Sequence, residues 1–399
     1  MDEPKKKPPL AGIRVLELAR VLAGPWAGQM LADMGADVVK VENPDGGDDT
    51  RAWGPPFVES IDGENLSAAY YHSTNRGKRS IAVDLKTEEG QDIVRRLAAQ
   101  SDVLIENFKV GGLNKYGLDY ESLKAINPKL VYCSITGFGQ DGPYASLAGY
   151  DYIVQGMSGF MSITGEPEGQ PMKSGVAIAD IFTGIYSVTA IQSALIHVMK
   201  TGEGQHIDMA LLDVMSAVLA NQNMNYLISG ISPVRLGNAH PNISPYEVIN
   251  VQDGYIILAV GNDGQFRRFC RILGIENVAD DERFSTNKAR VAHRIEVRSL
   301  LIAETIKWTK ADLLSACGDN AVPVGPINSI GEMFEDPQVK ARGLRVDLKA
   351  ADGTVIPGVR SPIVLSETPL AYHRPSPNVG EHTAEILAEL NMIEKERNR

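Results

Sequence analysis

The sequence predicts an α/β fold in two parts: a large lobe built on a mostly parallel sheet, and a smaller α/β lobe. Three observations carry this. Short β-branched runs alternate with helical segments through the first third, the loops after those runs are rich in Gly, Pro and Asn, and the texture changes near residue 225. Strands alternating with helices of this length imply right-handed crossovers and a sheet covered on both faces.

Taken in order, "GIRVLEL" gives the first strand, "GPWAGQMLADMGA" a helix ended by Gly35, and "DVVKVE" the second strand. "RSIAVDL", "DVLIENF" and "LVYCSITGFG" repeat the strand pattern, with "EEGQDIVRRLAAQS" and "YESLKAIN" as amphipathic helices between them. Ligands in such sheets bind at the carboxyl ends of strands, where the loops "ARVLAGP", "ENPDGGDD", "ENFKVGG" and "TGFGQDGP" fall. The stretch "IFTGIYSVTAIQSALIHVMK" reads as a buried helix with small residues on one side. In the second part, "YEVINVQDGYIILAV" is a hairpin pattern with Asp253-Gly254 at its turn. The helical segments "GQFRRFCRILG", "KARVAHRIEVRSLLIAETIKWT" and "KADLLSACGDN" come after it, and a last helix starts near Glu381 to Thr383.

Composition narrows the function classes. A net charge of −11 argues against general nucleic-acid binding. Cys133, Cys270 and Cys317 are widely spaced and cannot all pair, which fits reduced thiols and a cytoplasmic location. The start "MDEPKKKPPL" lacks an apolar signal region and reads as a loose leader, and no uninterrupted apolar run suggests a membrane span. The first strand is not followed by G-x-G-x-x-G and no Walker motif occurs, so no nucleotide redox cofactor is expected. The histidines show no metal-binding spacing, and no G-x-S-x-G stands between strand and helix, so neither a metal nor a serine triad is expected.

One carboxylate stands out. In "GVAIADIFTG", Asp180 sits in an uncharged, largely apolar run at the start of a helix. An unpaired buried charge is costly. Asp180 therefore either caps the helix, as aspartate does well, or performs chemistry that needs a dry, activated carboxylate.

The ordered segments "GIRVLELARVLAGPWAGQMLADMGADVVKVE", "GDDTRAWGPPF", "NRGKRSIAVDLK", "DVLIENFKVGGLNKYGLDY", "SITGFGQDGPYASLAGYDYIVQGMSG", "TGEPEGQPMKSGVAIADIFTG", "KTGEGQHIDMALLD" and "VPVGPINSIGEMFEDPQ" closely resemble the class III CoA-transferases. This is the CaiB/BaiF family that includes formyl-CoA transferase, and the resemblance covers nearly the whole chain. It implies a Rossmann-like large lobe over residues 1–220 completed by 335–399, a small lobe over 225–330, and an interlocked homodimer. It also implies that coenzyme A enters as acyl-CoA substrate and that Asp180, in the family's "GxAxxDxxxG" segment, is the nucleophile. The carboxylate would attack the acyl-CoA thioester, pass through an aspartyl–acyl anhydride and an aspartyl–CoA thioester, and hand CoA to an incoming carboxylic acid. Splitting one hard exchange into covalent steps is what nucleophilic catalysis does.

The resemblance also places the CoA contacts. Val21, Leu22 and Ala23 fall in the turn after the first strand; Lys78 and Arg79 are expected at the CoA phosphates; Asn107 and Phe108 lie after "DVLIE", with Phe108 able to pack on adenine or pantetheine. Lys115 stands where the family usually has an arginine, Asn43 stands where an adenine-side arginine is usual, and Tyr150 and Asp151 are expected near the acyl end. The glycine run of formyl-CoA transferase is replaced by "RLGNAHPNISPY" at 235–246, with Gly237, His240 and Asn242. That stretch is similar to members using succinyl-CoA and a dicarboxylate such as glutarate, and Arg235 and His240 are expected to hold the distal carboxylate. Two alternatives remain in view. An α-methylacyl-CoA racemase shares the fold but carries Gly-His-Asp where this chain has Gly-Tyr-Asp at 149–151, and a non-catalytic CoA-binding protein would leave Asp180 unexplained.

Overall fold

A computed structural model describes residues 6–397. The chain divides into two compact units, one formed by residues 1–160, 174–221 and 340–399, the other by 161–173 and 222–339.

The first unit is built on a six-stranded sheet: β1 (Arg14–Glu17), β2 (Asp37–Glu42), β3 (Arg79–Ala82), β4 (Val103–Glu106), β5 (Val131–Thr136) and β6 (His206–Ala210). The spatial order is β3-β2-β1-β4-β5-β6 and every pairing is parallel. Burial on both faces explains the near-continuous apolar runs of β1, β4 and β5, while β6, at the edge, is only partly buried. Val15, Val38, Val103, Ile105, Val131 and Cys133 face α1 (Ala23–Asp33) and α5 (Ile178–Thr201). Their neighbours Leu16, Val39, Ile81, Leu104 and Tyr132 face α2 (Glu88–Ala98), α3 (Tyr120–Ile126) and the C-terminal helix α7 (Thr383–Arg397). Helices α4 (Asp151–Met157) and α6 (Leu211–Val218) also pack against α5.

Two glycines let α1 lie close. A Cβ on Gly28 would run into the Glu17 carboxylate, and one on Gly184 of α5 would stand 2.8 Å from the Ala23 carbonyl oxygen. The helix expected from "IFTGIYSVTAIQSALIHVMK" is α5, and its small residues Ala179, Thr183, Gly184 and Ser187 form the buried face. Its other face differs from expectation: Ile185, Tyr186, Ile196 and Met199 are exposed. Length and composition would let α5 cross a membrane, but core helices share those properties, and its buried face packs on α1 and the sheet.

The second unit carries an antiparallel three-stranded sheet of β7 (Tyr246–Val251), β8 (Gly254–Ala259) and β9 (Val324–Pro326). Val251 pairs with Gly254, whose φ of +133° suits glycine at the tight turn. The long helix expected over "KARVAHRIEVRSLLIAETIKWT" is interrupted at His293, between Asn287–Ala292 and Arg294–Thr305.

Candidate active site

Asp180 occupies the first turn of α5, and its carboxylate is not the helix cap. Asp151, at the start of α4, takes that part: its Oδ1 accepts the Ala179 N–H at 2.7 Å and the Asp180 N–H at 3.3 Å. Its Oδ2 accepts from Gln155 Nε2 at 2.6 Å, and buried Gln155 accepts the Ser174 N–H through Oε1 at 2.8 Å. Among the described residues nothing donates a hydrogen bond to the Asp180 carboxylate. Burial, and then the negative charge of Asp151, push its pKa up to about 7. Half-buried Tyr70 carries a phenol kept protonated by burial and by the charges of Asp180, Asp151 and Asp48.

The carboxyl ends of β1 and β2 sit on a buried ionic network. Lys40 Nζ lies 3.1 Å from Glu17 and 2.9 Å from Asp48, and Lys78 Nζ lies 2.8 Å from Glu17, all with side chains fully buried. Arg51 pairs with Glu42 at 2.8 Å and donates to the Tyr71 hydroxyl and the Pro377 carbonyl. Three cations thus balance three carboxylates, as buried charge requires. Burial opposes the charge of Lys40, but Asp48, Glu17 and Glu42 outweigh it and hold its pKa above the ordinary lysine value. Asp48 is held down at about 2 against its own burial by Lys40 and Thr50.

This network ends on the turn after β1. Asp48 accepts the Val21 N–H at 3.3 Å, and Asn107 accepts the Arg20 N–H at 2.9 Å while donating to the Arg20 carbonyl at 2.7 Å. Val21 stands at φ +72°, a left-handed conformation that disfavours a β-branched side chain by about 1–3 kcal/mol. Leu22 and Ala23 come next, buried, and lead into α1.

Two expected phosphate ligands are corrected. Lys78 is fully buried and directs its ammonium to Glu17, the Pro25 carbonyl and the Asn75 side chain. Burial drops its pKa to about 8, partly offset by Glu17. Arg79 is the next residue of an extended strand, so it faces the other side of the sheet. There it joins Asp37 at 2.6 Å and Glu385 and Glu389 at 2.9 Å, binding α7 to the sheet. Neither offers a free cation to a ligand.

Phe108 is half-buried and packs against the cluster containing Leu113 and Leu118, while its N–H donates to Glu106 Oε2 at 2.7 Å. Burial pushes the Glu106 pKa up to about 7 against the bonds from Ser134 and that N–H. Lys115 is exposed, with Nζ 4.6 Å from the Tyr116 ring centre. Tyr150 is 66% exposed, directly before the Asp151 that caps α5. Asn43 is exposed.

In the second unit, Arg235 is also corrected. Its guanidinium is turned to the carbonyls of Glu166, Pro167 and Gly169 at 2.9–3.3 Å, and the Gly237 N–H donates to the Gly165 carbonyl. Arg235 thus braces a turn rather than presenting its fork to a carboxylate. His240 Nδ1 accepts the Asn242 N–H at 3.1 Å, which leaves Nε2 with the proton. Burial, then Arg294, lower the His240 pKa and keep the ring neutral. Asn287, Arg290 and Arg294 hold the backbone of Asn242, Ser244, His240 and Pro241, so this loop is pinned along its length.

Residues missed from the sequence include Glu17, Lys40, Glu42, Asp48, Arg51 and Gln155. Lys40 and Glu42 did carry a signal: both occupy inward positions of "DVVKVE", where a lone charge requires a partner. Among the described residues no cluster of His, Cys, Asp or Glu is arranged to hold a metal.

Comparison with known proteins gives a consistent picture. The model of CoA-transferase family III matches residues 10–383. Succinate–glutarate CoA-transferase of Agrobacterium fabrum is 78% identical over 394 residues, covering 99% of this chain and 98% of that protein. Succinyl-CoA:glutarate CoA-transferase of Mus musculus is 41% identical, covering 96% of this chain and 86% of the mouse protein. The crystal structure of a CaiB/BaiF family protein from Brucella suis superposes with a TM-score of 0.87 at 60% identity, over 97% of this chain and all of that one.

Proposed function

The chain belongs to CoA-transferase family III, and from that premise we propose that it moves CoA from succinyl-CoA to a dicarboxylic acid, glutarate foremost, with Asp180 as nucleophile. The observation that carries the catalytic assignment is the Asp180 carboxylate itself: partly buried, relieved of capping by Asp151, and accepting no hydrogen bond from the described residues. A carboxylate in this state is more nucleophilic than one solvated by water.

The steps balance without a net proton. The Asp180 carboxylate attacks the succinyl thioester carbonyl, the C–S bond breaks, and CoA leaves as thiolate from a mixed anhydride. The thiolate attacks the aspartyl carbonyl, succinate departs, and Asp180 becomes a CoA thioester. Glutarate attacks that thioester and expels the thiolate, which then attacks the glutaryl carbonyl and regenerates the aspartate. Each addition creates an oxyanion, and a protonated phenol such as Tyr70 is a suitable donor to it.

The turn at Val21, Leu22 and Ala23, with Asn107, forms part of the CoA site in this reading. The names of the relatives from Agrobacterium and mouse support the substrate pair. The racemase alternative lacks support, since Tyr150 replaces the histidine that a proton-transfer pair would need. Exposed apolar residues on α4 and α5, among them Tyr152, Ile153, Ile185, Tyr186 and Met199, favour a homodimer. Buried free thiols at Cys133, Cys270 and Cys317 favour a cytoplasmic location.

The test is a chromatographic assay of purified enzyme with succinyl-CoA and glutarate, oxalate, formate, carnitine or butyrate. The expected result is glutaryl-CoA formation with the highest kcat/KM for glutarate. Equal use of butyrate would overturn the diacid assignment, and no transfer to any acid would overturn the substrate reading altogether.

A further inference from the structure

The turn between β1 and α1 is held in a conformation its own sequence resists. Val21 is β-branched yet left-handed, at φ +72°. Left alone, such a residue returns to negative φ, because its Cβ crowds the backbone. Two side chains from distant parts of the chain prevent this. Asn107 closes on Arg20 from both ends, accepting its N–H at 2.9 Å and donating to its carbonyl at 2.7 Å. Asp48 receives the next N–H, that of Val21, with both oxygens at 3.3 Å. Asp48 is itself fixed by the Thr50 N–H and hydroxyl at 3.0 and 2.8 Å and by buried Lys40 at 2.9 Å. Lys40 is braced in turn by Glu17 and the Ala19 carbonyl.

The start of α1, directly after this turn, has no room to adjust. The Ala23 carbonyl abuts Gly184, one turn beyond Asp180 on α5, and the Trp26 side chain lies against the same glycine. The angle at which α1 leaves Val21 therefore fixes the surface beside the Asp180 helix. We infer that Asp48 and Asn107 are positioning residues of this enzyme: they lock Val21 in its left-handed conformation and thereby set the start of α1 against the helix that carries Asp180. The inference deepens the reading of Asp180 as nucleophile and rests on it. Asn107 acts here through the backbone it holds, and Asp48 acts without touching a substrate.

Glycine at position 21 adopts the same φ without being held. The locking role therefore makes a specific demand on a double-mutant cycle. Asn107→Ala and Asp48→Asn are each made in the wild-type and in the Val21→Gly enzyme. The readouts are the single-turnover rate at which the Asp180–CoA adduct forms from succinyl-CoA, measured by mass spectrometry after an acid quench, and the KM for succinyl-CoA. Each substitution is expected to slow acylation about tenfold or more when Val21 is present, and less than about threefold in the Val21→Gly background. A contact that only stabilises the fold would lower the melting temperature and leave the single-turnover rate of folded enzyme unchanged. Equal losses in both backgrounds would overturn the inference, showing that Asn107 and Asp48 act independently of Val21. Asn107→Ala is the decisive arm if Asp48→Asn proves insoluble, since Asn107 is only half-buried and outside the ionic network. Absence of any covalent adduct on Asp180 in the wild type would instead refute the nucleophile reading, and the inference would fall with it.

Discussion

Asp151 caps the helix that carries Asp180, accepting the Asp180 N–H with the same carboxylate whose charge raises the Asp180 pKa. One side chain thus does two things to the other. It satisfies the backbone donors of the first turn of α5, so that Asp180 is not drawn into capping, and it makes the Asp180 carboxylate harder to ionise and more basic.

The first consequence concerns Asp180→Asn. Transfer is expected to be lost, and stability is expected to move the other way. The folded pKa of about 7 stands above the ordinary 3.8, so the folded state holds the proton more tightly than the unfolded chain. Stability is therefore lost as pH rises from about 4 through about 7, and is recovered when the group cannot ionise. Melting curves should place Asp180→Asn about 2–4 °C above wild type at pH 8 and level with it near pH 4. A variant less stable than wild type at pH 8 would count against the buried, destabilised carboxylate.

Activity should track the same ionisation. Only the carboxylate attacks the thioester, so the single-turnover rate of acylation should rise through a midpoint near 7. A rate already on its plateau at pH 5 would show that Asp180 ionises as an ordinary surface acid.

Asp151→Asn separates its two effects. The amide oxygen can still accept the Ala179 N–H, so the helix should survive at a cost of about 1 kcal/mol. The charge is gone, so the midpoint of the acylation profile should move to lower pH. An unmoved midpoint would mean that burial alone sets the Asp180 pKa.

Lys78→Met distinguishes a structural from a ligand role. With Lys78 gone, Glu17 loses one of its two buried cationic partners. The expected outcome is a loss of about 3 kcal/mol or more in denaturant unfolding, with KM for succinyl-CoA within about twofold in the folded enzyme. A large rise in KM with unchanged stability would restore Lys78 to the CoA phosphates.

Five of the six strands of the large sheet were legible in the sequence as short apolar or β-branched runs between helices of crossover length, whereas β6, a partly exposed edge strand carrying His206 and Asp208, left no such run. Asp180 was legible as an isolated carboxylate in an apolar run, but not whether it capped its helix. That answer depends on Asp151, which approaches from another helix. Lys78 and Arg79 misled for a related reason. A basic pair before a strand says nothing about which acids wait on either face, and alternation sent one to Glu17 and the other to Asp37, Glu385 and Glu389. Arg235 likewise offered a fork that the structure spends on three backbone carbonyls.

As nucleophile, Asp180 becomes covalently bound during turnover. Mass spectrometry of enzyme mixed with succinyl-CoA and quenched in acid that preserves thioesters reads this bond. The expected result is a CoA-sized adduct on the peptide containing Asp180, absent from Asp180→Asn and discharged when glutarate is added before the quench. Transfer of CoA to glutarate with no adduct on that peptide, or with an adduct on a different residue, would contradict the account.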